Sequence, residues 1–267
     1  MIVFTTILQN LLYVIRLFTA KLKKTFEKNV TPKSSYLVEI VGTFFLVYAI
    51  LSAASVYSKS GQLGVIGIGL VHAFALTAIV YALGYKSGAQ VNPAVTIGLL
   101  VSGKLTPKEA GLYIVSQFVG AIIASAVVFV MFGQSMAAGV TLPSDGNVIR
   151  ALILETVMTF TLVYVVLSTT TAKNKIAPMA GLAIGFTLGL NVIFGGSVTG
   201  GSLNPARSFG PALIMGNFSY NWIYWVAPIM GGLIAAGIYK GLHKDADRPL
   251  ADDETLKSQG QAKLGHR

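Results

Sequence analysis

Two copies of the tripeptide Asn-Pro-Ala, at residues 92–94 and 204–206, constrain the fold of this chain more than any other feature. Each copy follows a polar, glycine-containing stretch and precedes a short apolar segment that ends at Gly103 or Gly216. Asn is a favoured helix N-cap, and proline is favoured at the first helical position. The copies therefore predict helices over 93–102 and 205–214, each about half as long as a helix that crosses a bilayer.

The chain as a whole is apolar enough for a membrane. Charged residues make up 11% of it and hydrophobic residues 54%, whereas a soluble domain is about a quarter charged. Six apolar stretches are long enough to span the bilayer, at roughly 36–57, 64–83, 109–132, 148–171, 177–195 and 220–242. We therefore predict an all-α membrane protein with six transmembrane helices and two half-membrane helices.

An internal repeat relates the two Asn-Pro-Ala copies. The segment 38–48 aligns with 154–164, and seven of the eleven positions are identical, including Glu39 and Glu155. Each half then contains three spans and one broken segment, so the second half enters the membrane from the opposite side. This predicts an inverted repeat within a channel domain at 34–242, with repeat one at about 34–133 and repeat two at about 147–242. The half-helices would start near the bilayer midplane.

The two ends of the chain have a different character. In residues 1–33, apolar side chains recur at helical spacing opposite polar ones such as Gln9 and Arg16, which predicts an amphipathic helix on the cytoplasmic face. A seventh span and an unstructured extension are the alternatives. The tail, 243–267, is polar and without periodicity, and we predict that it is disordered and cytoplasmic.

The net charge of +10 is explained by membrane orientation. If both termini are cytoplasmic, basic residues concentrate in the cytoplasmic segments, and the exceptions are Lys59, Arg150 and Arg207. This is the positive-inside bias, and anionic lipid headgroups are a sufficient partner for the charge. We predict a multi-pass protein of a cell membrane that binds no nucleic acid.

Several kinds of chemistry are disfavoured by the residues. The chain has no cysteine, so disulfides, thiolate metal sites and cysteine nucleophiles are excluded. His72, His243 and His266 share no metal-ligand spacing, and no nucleophile–base pair is evident. We therefore expect neither an enzyme nor a cofactor nor a metal.

These features together resemble the aquaporin (major intrinsic protein) family. The Asn-Pro-Ala copies lie in family-like strings, 87–96 and 204–211; the segment 113–121 resembles the third span of the family, and Glu39 and Glu155 match the membrane glutamates of its first and fourth spans. The resemblance covers roughly 35–242. It implies the aquaporin fold, one pore per subunit and a homotetramer in the lipid bilayer.

The resemblance also implies roles for the two copies. Asn92, Pro93, Ala94, Asn204, Pro205 and Ala206 would form the pore centre, where the amides orient a water molecule and interrupt a proton wire. The positive ends of both half-helix dipoles would repel cations there. The glycine-containing stretches before the copies would run as non-helical backbone along the pore, which is tolerated where it lines a cavity. The alternative is that both asparagines only cap buried helices.

Four positions are aligned with the outer constriction of the family by spacing from the copies: His72, Val192, Gly201 and Arg207. Strictly water-selective members have an aromatic residue and a histidine at the first two positions. The set in this chain resembles that of plant vacuolar-membrane aquaporins that also pass ammonia. Because valine is smaller than histidine and donates no hydrogen bond, this predicts a pore for water that also admits ammonia or a similar small neutral solute.

Glu39 and Glu155 have two readings. The resemblance implies that they support the pore loops by accepting their backbone N–H groups, which lipid leaves unsatisfied. The alternative is a proton relay in an ion-coupled transporter. A glycerol or urea facilitator is a further alternative, but that branch typically has aspartate after the arginine, where this chain has Ser208. The remaining alternative is a structural membrane protein whose pore is occluded.

Overall fold

The fold is built from six long helices and two short ones. The computed structural model describes residues 32–170 and 177–243. Within them the helices are α1 (Pro32–Ser60), α2 (Gly64–Ser87), α3 (Pro93–Val101), α4 (Pro107–Phe132), α5 (Val148–Thr169), α6 (Ala180–Thr199), α7 (Pro205–Met215) and α8 (Ile223–Leu242). Two 3₁₀ turns, Gly133–Gly139 and Ala177–Met179, follow α4 and precede α6. The predictions for residues 1–31 and 244–267 fall outside the described residues.

All helices except α3 and α7 are long and apolar enough to cross a membrane. Their large outward side chains are apolar, as shown by Phe45, Phe74 and Val130, whose exposed fractions are 53%, 59% and 85%. Water is a poor solvent for such a surface, whereas lipid tails are a good one. The chain is therefore an integral membrane protein, and the prediction of six spans with two half-helices is confirmed.

The two halves are packed in equivalent ways. In each repeat the first long helix packs against the last, α1 on α4 and α5 on α8. The half-helices cross over, because α3 packs on α8 of the other repeat and α7 packs on α4. Helices α2 and α6 pack against one another and join the halves. The two half-helices are thus enclosed by long helices from both repeats.

Glycines let these helices approach closely. A Cβ on Gly120 of α4 would meet the Ile40 carbonyl and lie 3.0 Å from the Phe44 nitrogen in α1. Gly231 of α8 has the same relation to α5, where a Cβ would lie 2.8 Å from the Phe160 nitrogen. Backbone contact of this kind is how membrane helices pack in the absence of a hydrophobic driving force.

Some predicted helix ends differ by a few residues. Helix α2 continues to Ser87, past the last fully apolar residue at Leu83, because Gly88 adopts a left-handed conformation and ends the helix there. Helices α6 and α8 begin three residues later than predicted, at Ala180 and Ile223. A 3₁₀ turn precedes α6, and a series of turns between Phe218 and Trp225 precedes and opens α8.

Candidate functional site

The half-helices α3 and α7 meet at their N-termini. Asn92 caps α3 and its Oδ1 accepts a hydrogen bond from the Ala94 N–H at 2.8 Å. Asn204 caps α7 in the same way, accepting from the N–H groups of Ala206 and Arg207. Proline follows as the first helical residue in both, so no backbone donor is lost there. Both caps are local consequences of the Asn-Pro pair.

The two amides also hold the opposite loop. Asn92 donates from Nδ2 to the Leu203 carbonyl at 2.7 Å, and Asn204 donates from Nδ2 to the Val91 carbonyl at 2.8 Å. Each amide nitrogen carries two N–H groups. One N–H of each amide therefore remains for a molecule in the cavity that both residues line.

The loops before the half-helices share an uncommon backbone conformation. Ala89 and Val91 have φ of 46°, and the equivalent residues Gly201 and Leu203 have φ of 57° and 54°. For a residue other than glycine, such a left-handed conformation costs roughly 1–2 kcal/mol. Three of these four residues are not glycine, so the surrounding structure must stabilise the conformation.

Glu39 and Glu155 supply this stabilisation through hydrogen bonds. Glu39 accepts the backbone N–H groups of Gln90 and Val91, at 3.0 and 2.8 Å. Glu155 accepts those of Ser202 and Leu203, at 2.9 and 2.8 Å. Both carboxylates are completely buried. Each also accepts a hydroxyl, from Ser87 or Thr199 at 2.6 Å, and Glu39 accepts the Gln117 amide at 2.9 Å.

These bonds fix the direction of the loop carbonyls. In a trans peptide the C=O points away from the N–H of the same unit, and the described residues contain no cis peptide bond. Because the N–H groups of Gln90 and Val91 point at Glu39, the carbonyls of Ala89 and Gln90 point away from it. Both residues line the cavity between the half-helices. The second loop has the same arrangement, with the carbonyls of Gly201 and Ser202 directed away from Glu155.

Two cavities follow one another through the middle of the helices. We call the first the central cavity; Leu76, Val80, Leu162, Val166 and Leu188 form part of its apolar wall, and the loop residues 88–92 with Ser202 and Asn204 form its polar side. We call the second the vestibule, lined by Ala54, Tyr57, Val65, Ala138, Ser197 and Gly200 among others. They share Ile50, His72 and Arg207. The path thus has one polar strip along an apolar wall.

The predicted constriction residues lie together at this junction. Val192 lines the vestibule beside His72 and Arg207. Gly201 lies against Val192, since a Cβ on Gly201 would be 3.3 Å from the valine Cγ2. The structure therefore brings together all four of His72, Val192, Gly201 and Arg207, which come from α2, α6, the second loop and α7.

His72 and Arg207 both have unused hydrogen-bonding capacity. His72 Nδ1 bonds the Ile68 carbonyl at 2.8 Å, which leaves Nε2 without a partner among the described residues. Arg207 donates from Nη1 to the Gly139 carbonyl at 2.6 Å, while its Nε has no partner in the same part of the chain. Both side chains are buried, with exposed fractions of 2% and 4%. Because an unmade buried hydrogen bond is costly, these atoms are suited to a polar ligand in the path.

Three further residues contribute to the site although the sequence analysis gave them no role. Gly139 supplies the carbonyl that holds Arg207. Thr141 bonds Ser208 from the segment after the 3₁₀ turn, and Gln117 joins Glu39 to Thr96 within the first repeat. The partners in these contacts are far apart in the sequence. Gln117 alone of the three could have been noticed in the sequence, because it is a polar residue in an apolar span. Among the described residues, no group of three His, Asp or Glu side chains could hold a metal ion.

Comparisons with known proteins agree with this architecture. The family model "Major intrinsic protein" matches residues 25–239. Aquaporin NIP1-1 of Zea mays is 38% identical over 219 residues, covering 81% of this chain and 77% of that protein. Aquaporin TIP2-3 of Zea mays is 39% identical over 232 residues, covering 82% and 92%. The solved aquaglyceroporin from Plasmodium falciparum has a TM-score of 0.68 at 23% identity, covering 78% of this chain and 96% of that one, a likeness of fold.

Proposed function

The chain belongs to the major intrinsic protein (aquaporin) family, and from this premise we propose that it is a passive channel for water that also admits ammonia or a similar small neutral solute. Members of the family are channels for water or small solutes. The observation that carries the finer proposal is the reciprocal pair of Asn92 and Asn204 in the central cavity, which shares His72 and Arg207 with the vestibule.

Proton exclusion is proposed from the two amides and the two helix ends. The N-termini of α3 and α7 both face the centre of the path, so both positive dipole ends lie there. A water molecule that accepts from Asn92 and Asn204 has both of its own hydrogens directed away from the two amides, which interrupts a continuous chain of proton donors. A cation at the same place meets an electrostatic barrier. Pro93, Ala94, Pro205 and Ala206 shape the helix starts, and each is buried.

Solute choice is assigned to His72, Val192, Gly201 and Arg207. His72 Nε2 and Arg207 Nε, which have no hydrogen-bond partner among the residues that the structure describes, provide polar contacts at the junction. Val192 provides an apolar surface without a donor, and Gly201 adds no side chain. We propose that this opening is wider and less polar than one containing an aromatic residue and a second histidine. Ammonia, which is close to water in size and is neutral, is the solute that this mixture favours.

An ion-coupled transporter is the second candidate, and the carboxylates disfavour it. Glu39 and Glu155 are each occupied by backbone and hydroxyl donors, so we propose that they support the loops. In the described part of the chain, the residues that line the central cavity include no carboxylate. A glycerol or urea facilitator remains the alternative within the same family, and the relatives do not separate these solutes.

Orientation and assembly are also proposed. Lys240 donates to the Val101 carbonyl at 3.4 Å, which brings the basic end of α8 to the end of α3. Ser35 donates to the Lys86 carbonyl at 3.0 Å, which brings the start of α1 to the basic end of α2. The positive-inside rule then makes this side cytoplasmic in a cell membrane.

We propose a homotetramer, as the family resemblance implies. Native mass spectrometry of the detergent-extracted protein should give four chains, and a monomer or dimer would contradict this.

The test of solute choice uses purified protein in liposomes. Stopped-flow light scattering gives permeability to water, urea and glycerol, and a pH-sensitive dye inside the vesicles reports ammonia entry. We expect water and ammonia permeability above that of empty liposomes, with glycerol close to the empty value. High glycerol permeability would favour the facilitator, and vesicles no leakier than empty ones would favour the occluded structural protein.

A further inference from the structure

The segment 139–144, which begins at the last residue of the 3₁₀ turn Gly133–Gly139, is hydrogen-bonded to the second repeat at three points. The Gly139 carbonyl accepts from Arg207 Nη1 at 2.6 Å. Thr141 donates from Oγ1 to Ser208 Oγ at 2.7 Å. Further on, the Ser144 N–H donates to the Val198 carbonyl at 2.9 Å. The segment therefore lies across the start of α7 and the end of α6, next to the junction of the two cavities.

The position of the Arg207 guanidinium depends on this segment. Arg207 Nη1 donates to the carbonyl of Gly139, which lies outside the helix of Arg207. The Nε of Arg207 has no hydrogen-bond partner in the described part of the chain. Gly139 is itself packed against Leu51 of α1, so closely that a Cβ would clash with that side chain. A small displacement of the Gly139 carbonyl would therefore change where Arg207 points.

The Thr141–Ser208 bond is part of a buried chain of hydroxyl groups. Ser208 Oγ also shares a hydrogen bond with Ser202 Oγ. Ser202 Oγ in turn donates to the Asn204 carbonyl at 3.0 Å and accepts from the Asn204 N–H at 3.2 Å. Thr141, Ser202 and Ser208 are 2%, 3% and 0% exposed. The segment is thus connected through side-chain hydroxyls to the second Asn-Pro-Ala copy.

The first repeat uses the equivalent hydroxyl differently. Thr96 follows Asn92 by four residues, as Ser208 follows Asn204. Thr96 Oγ1 accepts from Gln117, which also donates to Glu39. Gln117 lies four residues after Tyr113, and in the second repeat Pro228 lies four residues after Tyr224 and stands in the place of Gln117. Proline offers no side-chain donor, and Ser208 is bonded instead to Thr141 from the connecting segment. The repeat symmetry is broken at the point where the filter arginine is held.

We propose that Thr141 and Ser208 are positioning residues of the selectivity filter. Their hydrogen bond holds the segment 139–141 so that the Gly139 carbonyl keeps Arg207 directed across the junction. Without it, the guanidinium has more than one position and the opening admits larger neutral solutes. This inference rests on the proposed function, because it concerns which solutes the pore admits.

The test compares permeability ratios rather than activity alone. Thr141→Val preserves the shape of the side chain and removes the hydroxyl, whereas Thr141→Ser keeps the hydroxyl and removes the methyl group. Ser208→Ala breaks the same bond from the other side. Ser55→Ala is the matched control, since Ser55 is also 0% exposed but donates within its own helix, to the Leu51 carbonyl. Each variant is reconstituted, and its methylurea-to-water permeability ratio is measured by stopped-flow light scattering.

We expect Thr141→Val and Ser208→Ala to raise the methylurea-to-water ratio about fivefold, the factor that corresponds to one neutral hydrogen bond. Thr141→Ser and Ser55→Ala should keep the wild-type ratio. Both changes remove the Thr141–Ser208 bond, and Ser208→Ala also removes the bond to Ser202. The double variant should therefore show no more than the effect of Ser208→Ala alone. If Thr141→Val does not fold, Ser208→Ala carries the same expectation.

A wild-type ratio in Thr141→Val or in Ser208→Ala would overturn the inference, as would a raised ratio in Thr141→Ser or effects that multiply in the double variant. Failure of the proposed function looks different. In that case wild-type vesicles are no more permeable to water than empty ones, before any variant is compared.

Discussion

Asn92 and Asn204 each donate a hydrogen bond to the carbonyl that precedes the other, at 2.7 and 2.8 Å. Both amides are 4% exposed. Each side chain therefore caps its own half-helix with its oxygen and holds the opposite loop with its nitrogen, so the two broken segments form one unit across the repeats.

Replacing either asparagine with alanine should destabilise the fold to a similar extent. Asn92→Ala leaves the Leu203 carbonyl without a partner and removes the cap of α3, and Asn204→Ala does the same for Val91 and α7. A buried unsatisfied group costs about 1–3 kcal/mol. Thermal unfolding in detergent should show matching decreases for the two variants. The control is Asn217→Ala, which loses one bond to the neighbouring Ser219 N–H; a decrease in only one of the two pore variants would contradict the equivalence.

Glu39→Gln and Glu155→Gln should lower the stability of the fold, although glutamine has nearly the same size as glutamate. In the wild type, a carboxylate oxygen accepts the backbone N–H of Val91 or Leu203. In the variant, the NH₂ group of glutamine can face that N–H, and two donors cannot form a hydrogen bond. Loss of a charge-assisted bond costs about 1.5–3 kcal/mol. Fluorescence-detected size exclusion after heating should show lower stability for both. Glu109→Gln is the matched control, because glutamine preserves the capping box with Thr106, and equal stability of all three variants would argue against loop support.

Changing the constriction to the strictly water-selective pattern should reduce ammonia entry. The double variant His72→Phe with Val192→His replaces the valine surface with a donor and places an aromatic ring opposite it. Ammonia permeability relative to water should fall roughly fivefold, if one hydrogen-bonding contact changes in the path. Dye quenching and light scattering on the same vesicles give the two permeabilities. Unchanged ammonia entry in a variant that still conducts water would remove the basis for the filter assignment.

Glycine-mediated packing predicts a sharp difference within one helix. Gly231→Ala in α8 places a Cβ 2.8 Å from the Phe160 nitrogen and against the Thr156 carbonyl, and overpacking of this kind costs about 1–3 kcal/mol. Gly237 is also in α8, but nothing lies within 4 Å of its added Cβ. Gly237→Ala should therefore be neutral or stabilising by up to about 1 kcal/mol. Equal melting temperatures for the two variants would contradict the packing account.

The parts of the fold that the sequence predicts are those with local causes. Asn92-Pro93 and Asn204-Pro205 predict the half-helix starts because a cap and a first-turn proline act within a few residues. The repeat around Glu39 and Glu155 predicts the inverted arrangement because each half contains three spans, an odd number. The spacing to the copies predicts four constriction residues, and the structure brings these four side by side.

The contacts that sequence reasoning missed depend on tertiary structure. Gly139 and Arg207 are 68 residues apart and meet only when the 3₁₀ turn packs on α1. Thr141 and Ser208 carry no pattern that links them, since hydroxyl residues are common in loops. Helix α2 exceeds its predicted end because its last turn is set by the conformation of Gly88 rather than by apolar residues.

The proposed channel conducts water and excludes protons. The most direct measurement records both fluxes in the same proteoliposomes, with light scattering for water and an enclosed pH-sensitive dye under a potassium diffusion potential for protons. We expect water permeability above that of empty liposomes, a proton leak equal to theirs, and no change in water flux when a pH gradient is collapsed. Water permeability equal to that of empty liposomes, or a proton leak that rises with the amount of protein, would contradict it.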